Sequence, residues 1–425
     1  MTIILKNAQL IDPEAGTSFD GSLVIEGDRI AQIVSAGKRL PQSAETIDCA
    51  GHVLAPGIVD IGVKVCEPGE RHKESFRTAG LAAAAGGVTT IVTRPDTEPA
   101  IDTPEVLEFV HRRAVADSVV HVLPMAALTK CREGREMAEI GFLQDAGAVA
   151  FTDCDAVVRD PKVFSRCLTY ASGLNALVIG HVQDPQMSAG AAATSGALAS
   201  RLGLPAVSAM AERMGLERDL ALTEMTGARY HADQISAGCA LAPLERAKTA
   251  GLSVTAGVSI HHLTLNEDDI EGYRTFFKLK PPLRPDADRA AMVEALASGL
   301  IDVVSSMHTP QDEESKRLPF DLAASGAVAL ETLLPAALSL VHAGDIDLPK
   351  LWRAMSLNPA RIIGSNAGRM AEGAPADLVL FDPDHRFTMD RYKLQSKTKN
   401  TPYDERDMRG AVRATFVAGR QVYGR

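Results

Sequence analysis

Between Gly51 and about Pro310, short runs of apolar, β-branched residues alternate with alanine-rich, helix-favouring stretches, and no other feature of the chain constrains its fold as strongly. Eight runs read as strands: Leu54 to Val65, Gly87 to Thr93, Val120 to Ala126, Ala148 to Thr152, Ala176 to His181, Ala228 to Ile235, Ser253 to Val258 and Ile301 to Ser306. Each is nearly continuously apolar, as expected of strands buried on both faces. Eight consecutive βα units without a glycine-rich dinucleotide loop predict a closed α/β fold, a TIM-type (β/α)8 barrel over residues 51–365; an open doubly wound sheet is the alternative.

The two ends are built differently. Ile3 to Ala50 and Ala376 to Tyr423 carry short alternating strands with turn signals at Glu26-Gly27-Asp28 and Ala418-Gly419, which predicts one small β-sandwich domain assembled from residues 1–50 and 366–425. The Ala-, Gly- and Ser-rich stretch from Ser188 to Leu204 has little pattern and is expected to be a mobile surface loop or a subunit contact.

With 44 basic and 54 acidic residues the formal net charge is −10, which argues against general binding to nucleic acid or anionic membranes, both polyanions. Six scattered cysteines without a CxxC pair suggest neither a zinc ribbon nor a disulfide framework. The segment from Met1 to Lys6 lacks the order of a secretory leader and no apolar run is long enough to span a membrane, so a cytoplasmic protein is expected.

Functional side chains of a barrel gather at the carboxyl ends of its strands. The first strand ends Pro56-Gly57-Ile58-Val59-Asp60-Ile61-Gly62-Val63-Lys64-Val65-Cys66-Glu67-Pro68-Gly69. This run resembles the PG-(ILV)-(VI)-D-x-H-x-H-x-R-E-P-G signature of type I dihydroorotases, members of the amidohydrolase superfamily. The likeness continues through Ala150-Phe151-Thr152-Asp153, Ser259-Ile260-His261-His262-Leu263, Pro281-Pro282-Leu283-Arg284 and Asn358-Pro359-Ala360-Arg361. The resemblance implies a zinc site at the barrel mouth, where bound hydroxide and an aspartate open a cyclic amide.

Carried onto this chain, that site is largely replaced. The H-x-H positions hold Gly62, which has no ligand atom, and Lys64, whose ammonium repels a dication. The resemblance places the bridging carboxylate at Asp153 and a surviving histidine at His181, so a weak ion at these two, with Gln234, is the most the set could hold. Gln234 stands for a third histidine and Met307 for the catalytic aspartate, leaving no intact catalytic residue. Lys64 is expected to neutralise Asp153 in place of the metal, or otherwise to point into solvent.

The family's substrate positions fall on Cys66, Asp96, Lys280 and His308. Arg94 and Lys280 are new cations near the expected pocket, and His231, His261, His262 and His308 are expected to be hydrogen-bonded structural histidines. Cys66 and Cys154 are expected to be inert thiols.

The combination of a retained fold and lost ligands is similar to the noncatalytic dihydroorotase-like chains that assemble with aspartate carbamoyltransferase. It implies a protein of pyrimidine biosynthesis that needs no cofactor and acts as a structural or regulatory partner in a homo- or hetero-oligomer. Two other readings stay open: an active cyclic-amide hydrolase with a reduced metal site, for which zinc would be required, and a sensor that binds an anionic metabolite near Arg94 and Lys280.

Overall fold

A computed structural model describes residues 2–41 and 45–424; Met1, residues 42–44 and residue 425 lie outside the described residues. Seven parallel strands surround a common centre: Ile58–Val63, Val88–Thr93, His121–Pro124, Leu177–His181, Arg229–Asp233, Val254–Ser259 and Val303–Ser305. The eighth staves the ring as single bridges, Phe151 pairing with Ala126 on one side and with Val178 on the other. A bridge from Val63 to His308 closes the circle.

Seven of the eight predicted runs are thus staves of a closed barrel and the first supplies one from its second half, and the reason is visible in the burial. All six residues of Ile58–Val63 and all six of Val88–Thr93 are buried. Within the first strand, Val59 and Ile61 join an inner cluster with Val92, Met125, Leu177, Ile179 and Val303, whereas Ile58 and Val63 pack outward against the helical layer. Inward and outward positions alternate from Ile58 to Ile61, and the irregular register between Asp60 and Val63 puts Val63 on the outer side. The helices start at local signals: Ser75 and Thr78 form a capping box before Phe76–Ala85, and Asp160 caps Pro161–Gly173 with proline at its first turn.

The terminal segments meet in one eight-stranded sheet of order Arg420–Gly424, Asp407–Val417, Leu378–Thr388, Val53–Pro56, Thr2–Asp12, Thr17–Glu26 and Arg29–Ser35, with Glu45–Asp48 also paired to Thr2–Asp12. Leu5, Leu10 and Leu23 share an apolar cluster with Leu54, Leu378 and Phe416, so the sheet curls its two halves onto each other. The alternate residues Val53, Ala55, Val379 and Phe381 face the barrel core. The run read as one strand from Leu54 to Val65 is therefore two: Val53–Pro56 belongs to the terminal sheet and Ile58–Val63 to the barrel, separated at Gly57. Trp352 fastens this junction, stacking on Phe381 at 4.9 Å and donating its Nε1 hydrogen to the Pro56 carbonyl at 2.7 Å.

The Ser188 to Leu204 stretch holds a short strand, Ala193–Thr194, paired in parallel with Ala206–Val207, and a helix, Ala197–Leu202. Among the described residues no helix is long and apolar enough to cross a membrane.

Candidate functional site

The carboxyl ends of the barrel strands converge on a cavity of about 170 Å³ that opens into a wider chamber of about 790 Å³. Lys64, Asp96, Gln234, Lys280 and Met307 line the inner cavity, and His181 lines the chamber, so six of the positions expected at the site come together. Gly62 lies directly beneath Met307: a Cβ built on it would stand 2.3 Å from Met307 Sδ and 3.2 Å from Ser305 Oγ. The thioether fills the volume that a side chain at residue 62 would need.

Lys64 does not reach Asp153, contrary to the expected pairing. Its Nζ sits 3.3 Å from Asp96 Oδ2 and 3.6 Å from Glu70 Oε2, largely buried. Burial opposes the charge on Lys64, but the Asp96 and Glu70 carboxylates beside it help to hold the ammonium above its ordinary pKa. The Asp153 carboxylate is turned out of the mouth: Oδ1 accepts from the backbone amides of Leu128 and Thr129, both at 3.0 Å, and Oδ2 from Thr129 Oγ1 at 2.5 Å. It is a loop anchor rather than a presented ligand.

The acid that faces the chamber is Asp155, two residues on. Its Oδ2 lies 3.0 Å from Lys280 Nζ and its Oδ1 3.0 Å from Arg132 Nη2. Burial opposes ionisation of Asp155, but Lys280 and Arg94 overcome it and hold the carboxyl well below the usual range. Arg94 continues the network, with Nη1 3.3 Å from Asp233 Oδ2 and Nε 3.9 Å from Asp96 Oδ1. Lys64, Arg94, Arg132 and Lys280 are thus each matched by an internal carboxylate, in a lattice that sequence reading did not foresee. Asp155 was legible only as a neighbour of the Ala150 to Asp153 run, and nothing in the sequence singled out Arg132.

His308 lies away from the substrate position that the resemblance gave it and is the hydrogen-bonded structural histidine also expected. It is fully buried, its Nδ1 accepts from the amides of Ala329 at 3.2 Å and Leu330 at 3.4 Å, and its Nε2 lies 3.5 Å from Glu74 Oε2. It is a structural residue that helps close the barrel. Cys66 is likewise fully buried, and burial pushes its thiol up to about 12, which keeps it protonated. Burial raises the Cys154 thiol as well.

The other histidines divide. His231 bonds Thr255 Oγ1 through Nδ1 at 2.8 Å, as a structural histidine should. His181 and His261 are buried with no hydrogen-bond partner at any of their four ring nitrogens, and His262, beside the carbonyls of Pro281 and Pro282, forms no well-shaped bond either. Burial depresses His181 and His261 to about 3 and His262 to about 4, so all three are neutral. His261 and His262 face the inner cavity. A buried polar group left unpaired costs roughly 1–3 kcal/mol, so the cavity offers hydrogen-bonding nitrogens to water or another small polar molecule.

Four strand ends carry a non-glycine residue in left-handed backbone: Cys66 at φ 63°, Cys154 at 58°, Gln234 at 54° and Met307 at 47°. Such strain persists where surrounding structure imposes it and is common at sites that present side chains. The backbone of a presenting site is retained, while its donor set does not fit a zinc ion. Among the described residues no three His, Cys, Asp or Glu side chains converge so as to hold a metal, and Lys64 and Met307 occupy the mouth.

The profile of the Dihydro-orotase-like family matches residues 51–238, and that of an amidohydrolase family matches residues 341–423. The chain is 40% identical over 425 residues to a dihydroorotase from Wolbachia sp. subsp. Drosophila simulans (strain wRi), covering 99% of this chain and 95% of the relative. It is 37% identical over 423 residues to a dihydroorotase from Syntrophus aciditrophicus (strain SB), covering 100% and 99%. Among solved structures it is similar to an L-hydantoinase (dihydropyrimidinase) from Arthrobacter aurescens, with a TM-score of 0.89 at 24% identity over 99% of this chain and 96% of that one. A dihydropyrimidinase from Brevibacillus agri superposes with a TM-score of 0.85 at 22% identity, covering 100% and 95%. At such identities these structures speak to the fold alone.

Proposed function

The chain belongs to the dihydroorotase family, and from that premise we propose that it has kept the fold, lost the hydrolysis, and serves pyrimidine biosynthesis in the cytoplasm as a structural or regulatory partner of aspartate carbamoyltransferase. The observation that carries this reading is the filled ligand position, with Met307 Sδ standing where a side chain at residue 62 would begin. The internally neutralised lattice of Lys64, Arg94, Asp96 and Asp233 supports it, because a dication placed beside Lys64 and Arg94 would meet repulsion at low dielectric.

Metal analysis of the purified protein, paired with an assay of dihydroorotate ring opening, tests the first half. The expected result is substoichiometric zinc and no turnover above the uncatalysed rate. Stoichiometric zinc with turnover lost in His181→Ala would establish an active hydrolase instead. Co-expression with the transferase and gel filtration tests the second half: co-elution is expected, and separate elution at micromolar concentrations would remove the partnership.

A second reading is favoured by the unpartnered nitrogens of His181 and His261, which suit a cavity that still receives a small polar guest, as a metabolite sensor would. Dihydroorotate would then raise the melting temperature saturably in the wild type and not in Lys280→Ala. The absence of a shift in the wild type, at concentrations where an active family member saturates, would rule the sensor out.

A further inference from the structure

We infer that a second site, remote from the barrel mouth, binds a small phosphoryl-bearing anion between the helix Leu333–Ala343 and the terminal hairpin of Leu378–Thr388 and Asp407–Val417. A cavity of about 650 Å³ lies there, lined by Arg386, Arg406, Arg409 and His342 together with hydroxyl-bearing and aromatic side chains. None of these residues belongs to the lattice at the mouth.

The register of the hairpin carries the argument. Arg386 and Arg409 are direct cross-strand partners, so their side chains leave the same face of the sheet side by side. Like charges placed opposite each other on adjacent strands repel, and nothing in the packing of the hairpin calls for two arginines at this register. The neighbouring acids answer Arg409 and Arg406 but leave Arg386 uncompensated. Asp384 pairs with Arg409, Asp269 with Arg406 at 2.5 Å, and Asp407 lines the cavity but accepts from Thr388 Oγ1 at 2.7 Å. Arg386 is exposed and, among the described residues, has no carboxylate partner.

A second observation points the same way. Arg409 Nε is buried and has no hydrogen-bond partner, although one of the same guanidinium's Nη groups is paired with Asp384. An N–H held out of solvent and unbonded is a donor awaiting an acceptor. The free fork of Arg386 beside the unbonded Nε–H of Arg409 offers N–H donors and positive charge to the oxygens of a phosphoryl group. Arg406, paired with Asp269 and held over the Phe277 ring at 5.3 Å, is a further, fixed N–H donor group at the same rim.

Inorganic pyrophosphate at constant ionic strength, titrated into the full-length protein by calorimetry, tests the proposal, with citrate as a non-phosphoryl polyanion. The expected result is saturable one-to-one binding of pyrophosphate, at least about tenfold weaker in Arg386→Ala. The same loss is expected in Arg409→Ala, and Lys280→Ala at the mouth should leave binding unchanged. Because Arg386 is exposed, its replacement leaves the packing intact, and circular dichroism checks that the variant is folded. No saturable binding would overturn the proposal. So would binding unaltered in folded Arg386→Ala, equal binding of citrate, or loss confined to Lys280→Ala.

Discussion

Lowering the pH from 7 to 5 is expected to remove much of this protein's stability, because four histidines are buried in their neutral form. His181, His231 and His261 are depressed by burial to about 3 and His262 to about 4, against an unfolded value of roughly 6.5. Their folded values lie below the unfolded one, so between these limits the unfolded chain binds protons that the folded chain refuses. Stability is therefore full above about pH 6.5 and falls as the pH drops toward 4. Each histidine approaches a loss of roughly 1.4 kcal/mol per pH unit, and four together a limit of about 5–6 kcal/mol per unit, comparable with the whole stability of many domains. Burial raises the carboxyl pKa values of Asp60, Asp153 and Asp233, and proton uptake by these groups in the folded state offsets part of the loss. Urea unfolding at pH 7, 6 and 5 measures the balance, and His261→Phe should reduce the slope by about one histidine's share. A stability that stays level across that range would mean that the imidazoles are hydrated rather than sealed.

Placing a histidine at residue 62, where the resemblance to type I dihydroorotases implies one, is expected to destabilise the protein. In Gly62→His the new Cβ falls 2.3 Å from Met307 Sδ, well inside van der Waals contact, and the strand beneath it is buried on both faces. Overpacking of this kind costs roughly 1–3 kcal/mol, and an imidazole larger than the Cβ alone puts this case at or above the upper end. Pairing Gly62→His with Met307→Asp removes the thioether and should recover most of the loss. Zinc binding should need Lys64→His as well, since the Lys64 ammonium otherwise remains at the mouth. Denaturation midpoints and metal content of the single, double and triple variants check this order. A stable single Gly62→His variant with bound zinc would show that Met307 moves aside freely.

The barrel was legible because its signal is redundant: strands such as Ile58–Val63 and Val88–Thr93 must be apolar on both faces, and that requirement is written into every residue. The stave around Phe151 was found from the same pattern although it makes only bridges. Side-chain direction at the strand ends was less accessible. Met307 and Cys154 adopt left-handed backbone without being glycine, and such a reversal redirects the residues beside it. His308, next to Met307, turns into the core, and Asp153, next to Cys154, turns toward Thr129, leaving Asp155 at the chamber. Sequence spacing assumes regular backbone, so it mispositioned the two residues adjacent to those reversals. The pairing of Lys64 with Asp96 and Glu70 was equally hidden, since it depends on which acid a flexible ammonium meets first in space.

The barrel closes where Val63 meets His308, and the terminal sheet seats Val53–Pro56 between a strand from each end of the chain. The seam therefore waits for residue 308 and the sheet for residues from 378 onward. Pairings across such long stretches of chain are slow to form, and early hairpins such as Thr2–Asp12 with Thr17–Glu26 must wait with their inner faces uncovered. Completion of both units is thus governed by the arrival of distant chain, and the interval before it is when uncovered apolar faces are most exposed to wrong partners.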